Sequence, residues 1–255
     1  MPSRYFVLCL FTVSILAVFM VPTSVSADVY ELRTYTTNEG KLDNLNARFR
    51  DHTVRLFDRH GMKSVGYWVP TTQPRSENTL IYALKHRSRD SAKASWKAFR
   101  SDPEWQNVAR ESQLDGKILA KAPESVFMDA ADYSPEFKTE NPDNAAVFEL
   151  RIYRTHKAKL KNLDARFRDH TIGLFKEHGI KSVAYWHPVE EPDSKDTLIY
   201  IIRHDSRDAA KESWRTFGSD PEWQTVARES QIDGKILRES PESTYMKSTD
   251  YSVIR

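Results

Sequence analysis

The stretch Ser101-Asp-Pro-Glu-Trp-Gln-Asn-Val-Ala-Arg-Glu-Ser-Gln-Leu-Asp-Gly-Lys-Ile-Leu119 occurs twice. It returns as Ser219–Leu237, where Asn107 becomes Thr225 and Leu114 becomes Ile232. Working outward, Val29–Ser134 aligns with Val147–Ser252 without a gap. The offset is about 118 residues, and roughly 60% of paired positions are identical. The chain therefore reads as a tandem repeat. Residues 1–27 are a targeting segment, 28–134 the first repeat, 135–146 a linker carrying Pro135 and Pro142, and 147–255 the second repeat.

The 255 residues are 39% hydrophobic and 29% charged, with a formal net charge of +2, so no basic field marks a nucleic-acid partner. At the N-terminus, Arg4 precedes an apolar run from Phe6 to Val21, and Val25-Ser26-Ala27 offers small residues before Asp28. This is the layout of a secretory signal cleaved after Ala27, and the expectation is an exported protein, periplasmic or extracellular. Membrane attachment would come only from leaving that segment uncleaved. Cys9 is the only cysteine and lies inside it. The mature chain then has no thiolate nucleophile, disulfide or cysteine metal site.

Within the first repeat, Val29–Thr36 alternates as a strand. Leu42, Leu45, Phe49, Leu56 and Phe57 recur at helical spacing up to His60-Gly61, so one long amphipathic helix is expected. Ser64–Pro70 and Thr79–His86 read as two strands around a hairpin loop over Thr71–Asn78. Ser88 is placed to cap a helix bearing Ala92, Trp96 and Phe99. A second cap is expected at Asp102 with Pro103 in the first turn, because the residue before a proline avoids helical angles. Ser125–Met128 is the last strand. The order β-α-β-β-α-β is that of ferredoxin-like domains. Strands two and three look apolar on both faces, so helices cover one face and the other repeat covers the second. The expected fold is α+β: two ferredoxin-like repeats closing an intramolecular pseudo-dimeric barrel of eight strands.

Strand one carries the candidate site. Glu31, Arg33 and Tyr35 share a face, as do Glu149, Arg151 and Tyr153. The opposite face, Tyr30, Leu32 and Thr34, is matched by Phe148, Leu150 and Ile152. That apolar face is expected under the helices, which points the charged pair into a ligand pocket between the sheets. A structural ion network across the repeats is the competing reading. His52 and His170, set in the identical heptads Ala47–Thr53 and Ala165–Thr171, fall on the helical stripe beside Phe49 and Phe167. His86 and His204 end strand three and are expected at a cavity mouth. No His-Glu-x-x-His, phosphate loop or Gly-x-Ser-x-Gly is present, and only 8 glycines occur, so neither metal nor cofactor is expected.

The motifs Tyr30-Glu-Leu-Arg-Thr-Tyr35, Arg50-Asp-His-Thr53 with His60-Gly61, Gly66-Tyr-Trp68, Ala94-Ser-Trp-Lys-Ala-Phe99 and Asp102-Pro-Glu-Trp105 resemble the NIPSNAP family, and Phe148-Glu-Leu-Arg-Ile-Tyr153 opens the second matching run. The resemblance implies the dimeric α/β-barrel superfamily, whose members include cofactor-free monooxygenases, isomerases and haem-binding proteins. Animal members resemble mitochondrial proteins of membrane traffic and mitophagy, from which the exporting N-terminus departs. The resemblance carries no residue-level activity. Two function readings stand: a small-molecule binder or cofactor-free enzyme, and an interaction or scaffold module with a filled barrel. The scaffold reading uses Gln106, Arg110, Glu111 and Gln113, whose recurrence suggests an inter-repeat contact. Haem held by His52 and His170 is a third. Further oligomerisation of the chain stays open at this point.

Overall fold

The structure is a computed structural model that describes residues 28–136 and 146–255. The expected targeting segment and residues 137–145 of the expected linker lie outside the described residues. The first repeat runs β1 (Val29–Thr36), α1 (Leu42–Arg48), a π-helical turn (Phe49–Thr53), α2 (Val54–Arg59), β2 (Lys63–Pro70), α3 (Arg75–Asn78), β3 (Thr79–His86), α4 (Arg89–Ser101), α5 (Pro103–Glu111) and β4 (Glu124–Ala130). The second runs β5 (Val147–Arg154), α6 (Leu160–Arg166), a π turn (Phe167–Thr171), α7 (Ile172–Glu177), β6 (Lys181–Pro188), a 3-10 turn (Asp193–Lys195), β7 (Thr197–His204), α8 (Arg207–Ser219), α9 (Pro221–Glu229) and β8 (Glu242–Ser248).

The eight strands close an antiparallel barrel in the order β1-β3-β2-β8-β5-β7-β6-β4. Each repeat contributes one ferredoxin-like sheet. The halves meet at two seams, β2–β8 and β4–β6. Closure removes the free sheet edges that a single repeat would expose. Leu32, Trp68, Ile81 and Met128 fill the barrel together with Phe148, Leu150, Trp186, Ile199 and Met246. Trp186 packs on Tyr30 and Trp68 on Phe148, each pair with ring centroids 5.7 Å apart, so each repeat's tryptophan lies on the other repeat's first strand. A Cβ at Gly66 would collide with the Trp68 indole, so glycine there lets that ring lie flat on its own strand.

Helices cover the outer faces. The cap of α4 is Ser88, which accepts from Ser91 N–H while its own N–H reaches the Ser91 hydroxyl. Asp102 caps α5 by accepting from Glu104 and Trp105 N–H groups. Its other oxygen meets His60 Nε2 at 2.8 Å, which ties the end of α2 to the start of α5. The long first helix is interrupted. The Val54 N–H bonds Phe49 C=O, and the Thr53 hydroxyl donates to Arg48 C=O at 3.0 Å. This widened turn adds a residue, so Phe49, Thr53, Leu56 and Phe57 all point inward while His52 turns out.

The inter-repeat clasp lies at the strand-four exits. Asp132-Tyr133-Ser134 follows β4 and crosses to the second repeat: Arg168 donates to Asp132, Tyr133 donates to Asp164, and Tyr185 N–H donates to Ser134. Asp250-Tyr251-Ser252 returns the exchange on Arg50, Asn46 and Tyr67 N–H. Helix α5 is not part of this contact. Arg110 bonds Asn107, Gln113 bonds Ala109 C=O, and α5 packs on α4 and the π turn of its own repeat. The expected inter-repeat role of the recurring α5 side chains is therefore corrected: what recurs for assembly is Asp-Tyr-Ser.

Candidate functional site

The Glu31–Arg33 face lies under the helices, not between the sheets, and the expected orientation of strand one is inverted. The inverted face is the one on which a carboxylate finds partners. Glu31, 1% exposed, accepts from Trp96 Nε1 at 2.7 Å, Ser125 Oγ at 2.6 Å, His86 Nε2 at 3.1 Å and Arg33 Nη1. The barrel interior, walled by Trp68, Trp186 and Phe148, would leave it bare. Burial alone would raise the Glu31 pKa. The bond from His86, the charge of Arg33 and the bonds from Ser125 and Trp96 more than offset burial and bring it to about 2. Glu31 is thus a fixed anion with its lone pairs occupied, unsuited to taking a proton.

Arg33 is what this anion positions. Its guanidinium lies over the Trp96 ring, 4.4 Å from the centroid, and its Nε has no protein partner. It forms the wall of a cleft of about 460 Å³ between β1, β4 and α4. Arg89, Asp90, Lys93, Arg100 and Phe127 complete the lining, which holds two more cations than acids. The aromatic floor and basic rim suit an anion with a flat or apolar body.

The second repeat rebuilds the cluster. Glu149 accepts from Trp214 at 2.8 Å, Ser243 at 2.6 Å, His204 at 3.2 Å and Arg151. Its pKa is also about 2, burial being outweighed by the His204 bond and the Arg151 charge. Each network stays within its own repeat, so no ion pair between Glu31–Arg33 and Glu149–Arg151 spans the interface.

The other candidates separate. Tyr35 and Tyr153 stand behind the arginines, each packed in a helix-covered core, and Arg151 donates to the Tyr153 hydroxyl at 3.2 Å. His86 and His204 are buried behind the carboxylates, not at a cavity mouth, because the inverted strand face takes them inward with Glu31 and Glu149. His52 and His170 line a separate groove, one in each repeat. The two therefore do not converge on one haem, since each stands on its own repeat's π turn. Among the described residues no group of three His, Cys, Asp or Glu side chains could hold a metal ion, and no helix is long and apolar enough to cross a membrane. Between the sheets the centre is filled. A cavity of about 510 Å³ remains at one mouth, with Leu32, Leu150 and Ile152 below and Arg75, Lys121 and Glu242 at the rim.

Sequence reasoning missed Trp96 and Ser125 as ligands of Glu31, and Arg89, Lys93 and Arg100 as rim cations. Trp96 sits at core spacing, and nothing in that spacing reveals that its N–H points at a carboxylate. Ser125 and Ser243, at matching positions beside a strand that carries a charged pair, were the available signal.

The NIPSNAP family model matches residues 30–135 and 148–252. No curated protein matches the chain. Among solved structures, a candidate monooxygenase from Lactobacillus acidophilus aligns over 87% of this chain and 94% of its own, at 9% identity and a TM-score of 0.57. A second, from Fusobacterium nucleatum, aligns over 88% and 93% at 11% identity and a TM-score of 0.56. A NIPSNAP family protein with unknown function from Agrobacterium tumefaciens aligns over 43% of this chain and 94% of its own, at 21% identity and a TM-score of 0.37. At these identities the first two likenesses concern the fold alone.

Proposed function

The chain belongs to the NIPSNAP family, and from that premise we propose that it binds a small aromatic or apolar carboxylate in the sheet–helix cleft against Arg33. One observation carries this reading: a guanidinium locked by Glu31 and Trp96 lies at the wall of a cation-rich cleft, with its Nε unpaired. Prepaying the orientation of such a group lowers the cost of binding.

The cleft stabilises negative charge. Among the described residues its lining carboxylates are Glu31, saturated by donors, and Asp90 at the exposed rim, and Arg89 is paired with Glu190 of the second repeat. A catalytic version of the reading therefore uses Arg33 to hold an oxyanion of the bound molecule. The names given to the two bacterial fold neighbours suggest dioxygen as its co-substrate. The non-catalytic scaffold reading draws on the filled barrel centre. We also propose export, with a mature chain starting at Asp28, which intact mass of the secreted protein would check.

Titration calorimetry with benzoate and its neutral amide tests the binding. Benzoate should bind and benzamide should not, and Arg33→Gln together with Arg151→Gln should abolish the benzoate signal. Equal binding of the two compounds, or none, would leave the scaffold reading.

A further inference from the structure

Each repeat carries a second concavity that shares no lining residue with the cleft. It lies between the π turn and α5 in the first repeat, and between the matching π turn and α9 in the second, with volumes of about 230 Å³ and 310 Å³. Its floor is an arginine. Arg48 is 7% exposed, lies 5.4 Å from the Trp105 ring centroid, and reaches only Ser112 Oγ at 3.4 Å. Among the described residues its Nε has no partner and no carboxylate pairs with it. Arg166 repeats every feature, with Trp223 at 5.4 Å, Ser230 at 3.5 Å and an unpartnered Nε. A buried cation without a counter-ion is costly to keep, and packing alone does not require one.

The rim has the opposite charge. Asp51 and Glu111 are exposed and, among the described residues, enter no ion pair and no side-chain hydrogen bond. Asp169 and Glu229 match them. Ala47 and Val108 form a small apolar wall. Every residue lining the first groove is identical to its partner in the second, although elsewhere about four in ten paired positions differ. This is where the recurrence of Glu111 and Ser112 finds a use. The π turn supplies the geometry, because Thr53 binds the Arg48 carbonyl and the widened turn aims Arg48 beneath α5.

We propose that each groove binds a small zwitterion of the α-amino acid class, its carboxylate on Arg48 and its ammonium between Asp51 and Glu111. A simple anion would face two carboxylates on entry, and a simple cation would face the guanidinium below. A molecule with both charges on neighbouring atoms satisfies floor and rim together, and a short aliphatic side chain fits the alanine–valine wall.

Calorimetry on the whole mature chain would use L-valine, 3-methylbutanoate (which lacks the ammonium) and isobutylamine (which lacks the carboxylate). Valine should bind once per repeat, about tenfold or more tighter than either fragment. Arg48→Gln should remove one of the two equivalents and Arg48→Gln with Arg166→Gln both, while Arg33→Gln leaves them. Should the arginine variants fail to fold, Glu111→Gln with Glu229→Gln changes only the exposed rim and should erase the preference for valine over 3-methylbutanoate. Absence of valine binding, equal affinity for valine and 3-methylbutanoate, or a preference that survives the rim variants would overturn the proposal.

Discussion

The Glu–Arg clusters of the two repeats share their supports and differ in the side chains around them. Glu31, Arg33, Trp96, Ser125 and His86 are matched by Glu149, Arg151, Trp214, Ser243 and His204, with every bond to the carboxylate reproduced. Arg100, however, corresponds to Gly218, and Phe127 to Tyr245. Arg89 lies 3.4 Å from the Phe127 ring centroid and Arg207 3.5 Å from that of Tyr245, so the stacked cation survives the change of ring. The constant part surrounds a buried carboxylate and satisfies its charge, so altering any member leaves another polar group stranded. In the variable part, Arg100 and Gly218 are exposed and make no bond to that carboxylate, so this position can change without that penalty. The two sites are thus built alike and tuned apart.

The most damaging way to probe the shared part is Glu31→Ala, which strands Arg33 and the indole N–H. It should cost about 3 kcal/mol, and Glu149→Ala the same. Chemical denaturation of both variants measures this, and a silent variant on one side would break the symmetry. Acid is the next probe. Both carboxylates hold a folded pKa of about 2 against an ordinary value of 4.5. Because that folded value is depressed, the stability they contribute is complete above 4.5 and is lost as pH falls toward 2. Urea midpoints from pH 6 downward should show the loss, flattened to similar degrees by Glu31→Gln and Glu149→Gln.

Smaller effects sharpen the difference. Gly218 has open space around its Cβ direction, so Gly218→Arg should raise anion affinity beside Arg151 by about threefold, and Arg100→Gly should lower that beside Arg33 by as much, an exposed-cation effect of under ~1 kcal/mol. Benzoate isotherms resolved into two sites would read both. The smallest effect is expected at the clasp. Asp250→Asn and Asp132→Asn each remove an exposed pair and should cost ~0.5 kcal/mol in thermal stability. A larger loss would mean that the clasp is cooperative with the barrel.

Much of this architecture is legible in the sequence. Strands β1 and β3 fall where alternation places them, and β2 and β4 extend only one or two residues beyond the expected bounds. The caps at Ser88 and Asp102 follow from local chemistry, as do the stops at Gly61 and Gly179, whose φ values of +75° and +74° need glycine. The face of strand one is not legible. Both of its faces are buried, and the choice depends on Trp96, some 65 positions away, presenting a donor. Nor is the π turn, since a period of 3.6 carried through Phe49 and Leu56 places His52 in the core. What betrayed it was the unbroken identity of Ala47–Thr53 and Ala165–Thr171. Arg48, Phe49, Arg50 and Thr53 each have a different task there, in groove, core, clasp and turn.

The seams have a consequence for how the molecule breathes. Within a repeat, β1 and β3 are held by eight register pairs, whereas β2–β8 and β4–β6 are joined by three each. The barrel is therefore two well-knit half-shells along two short zips. Amides of Trp68, Val69 and Met128–Ala130 should exchange with deuterium before those of β1 and β3, in an opening that swings one half from the other without melting either. Carrying both halves on one chain keeps their mutual concentration near the millimolar range, enough for such short zips to reclose after each excursion.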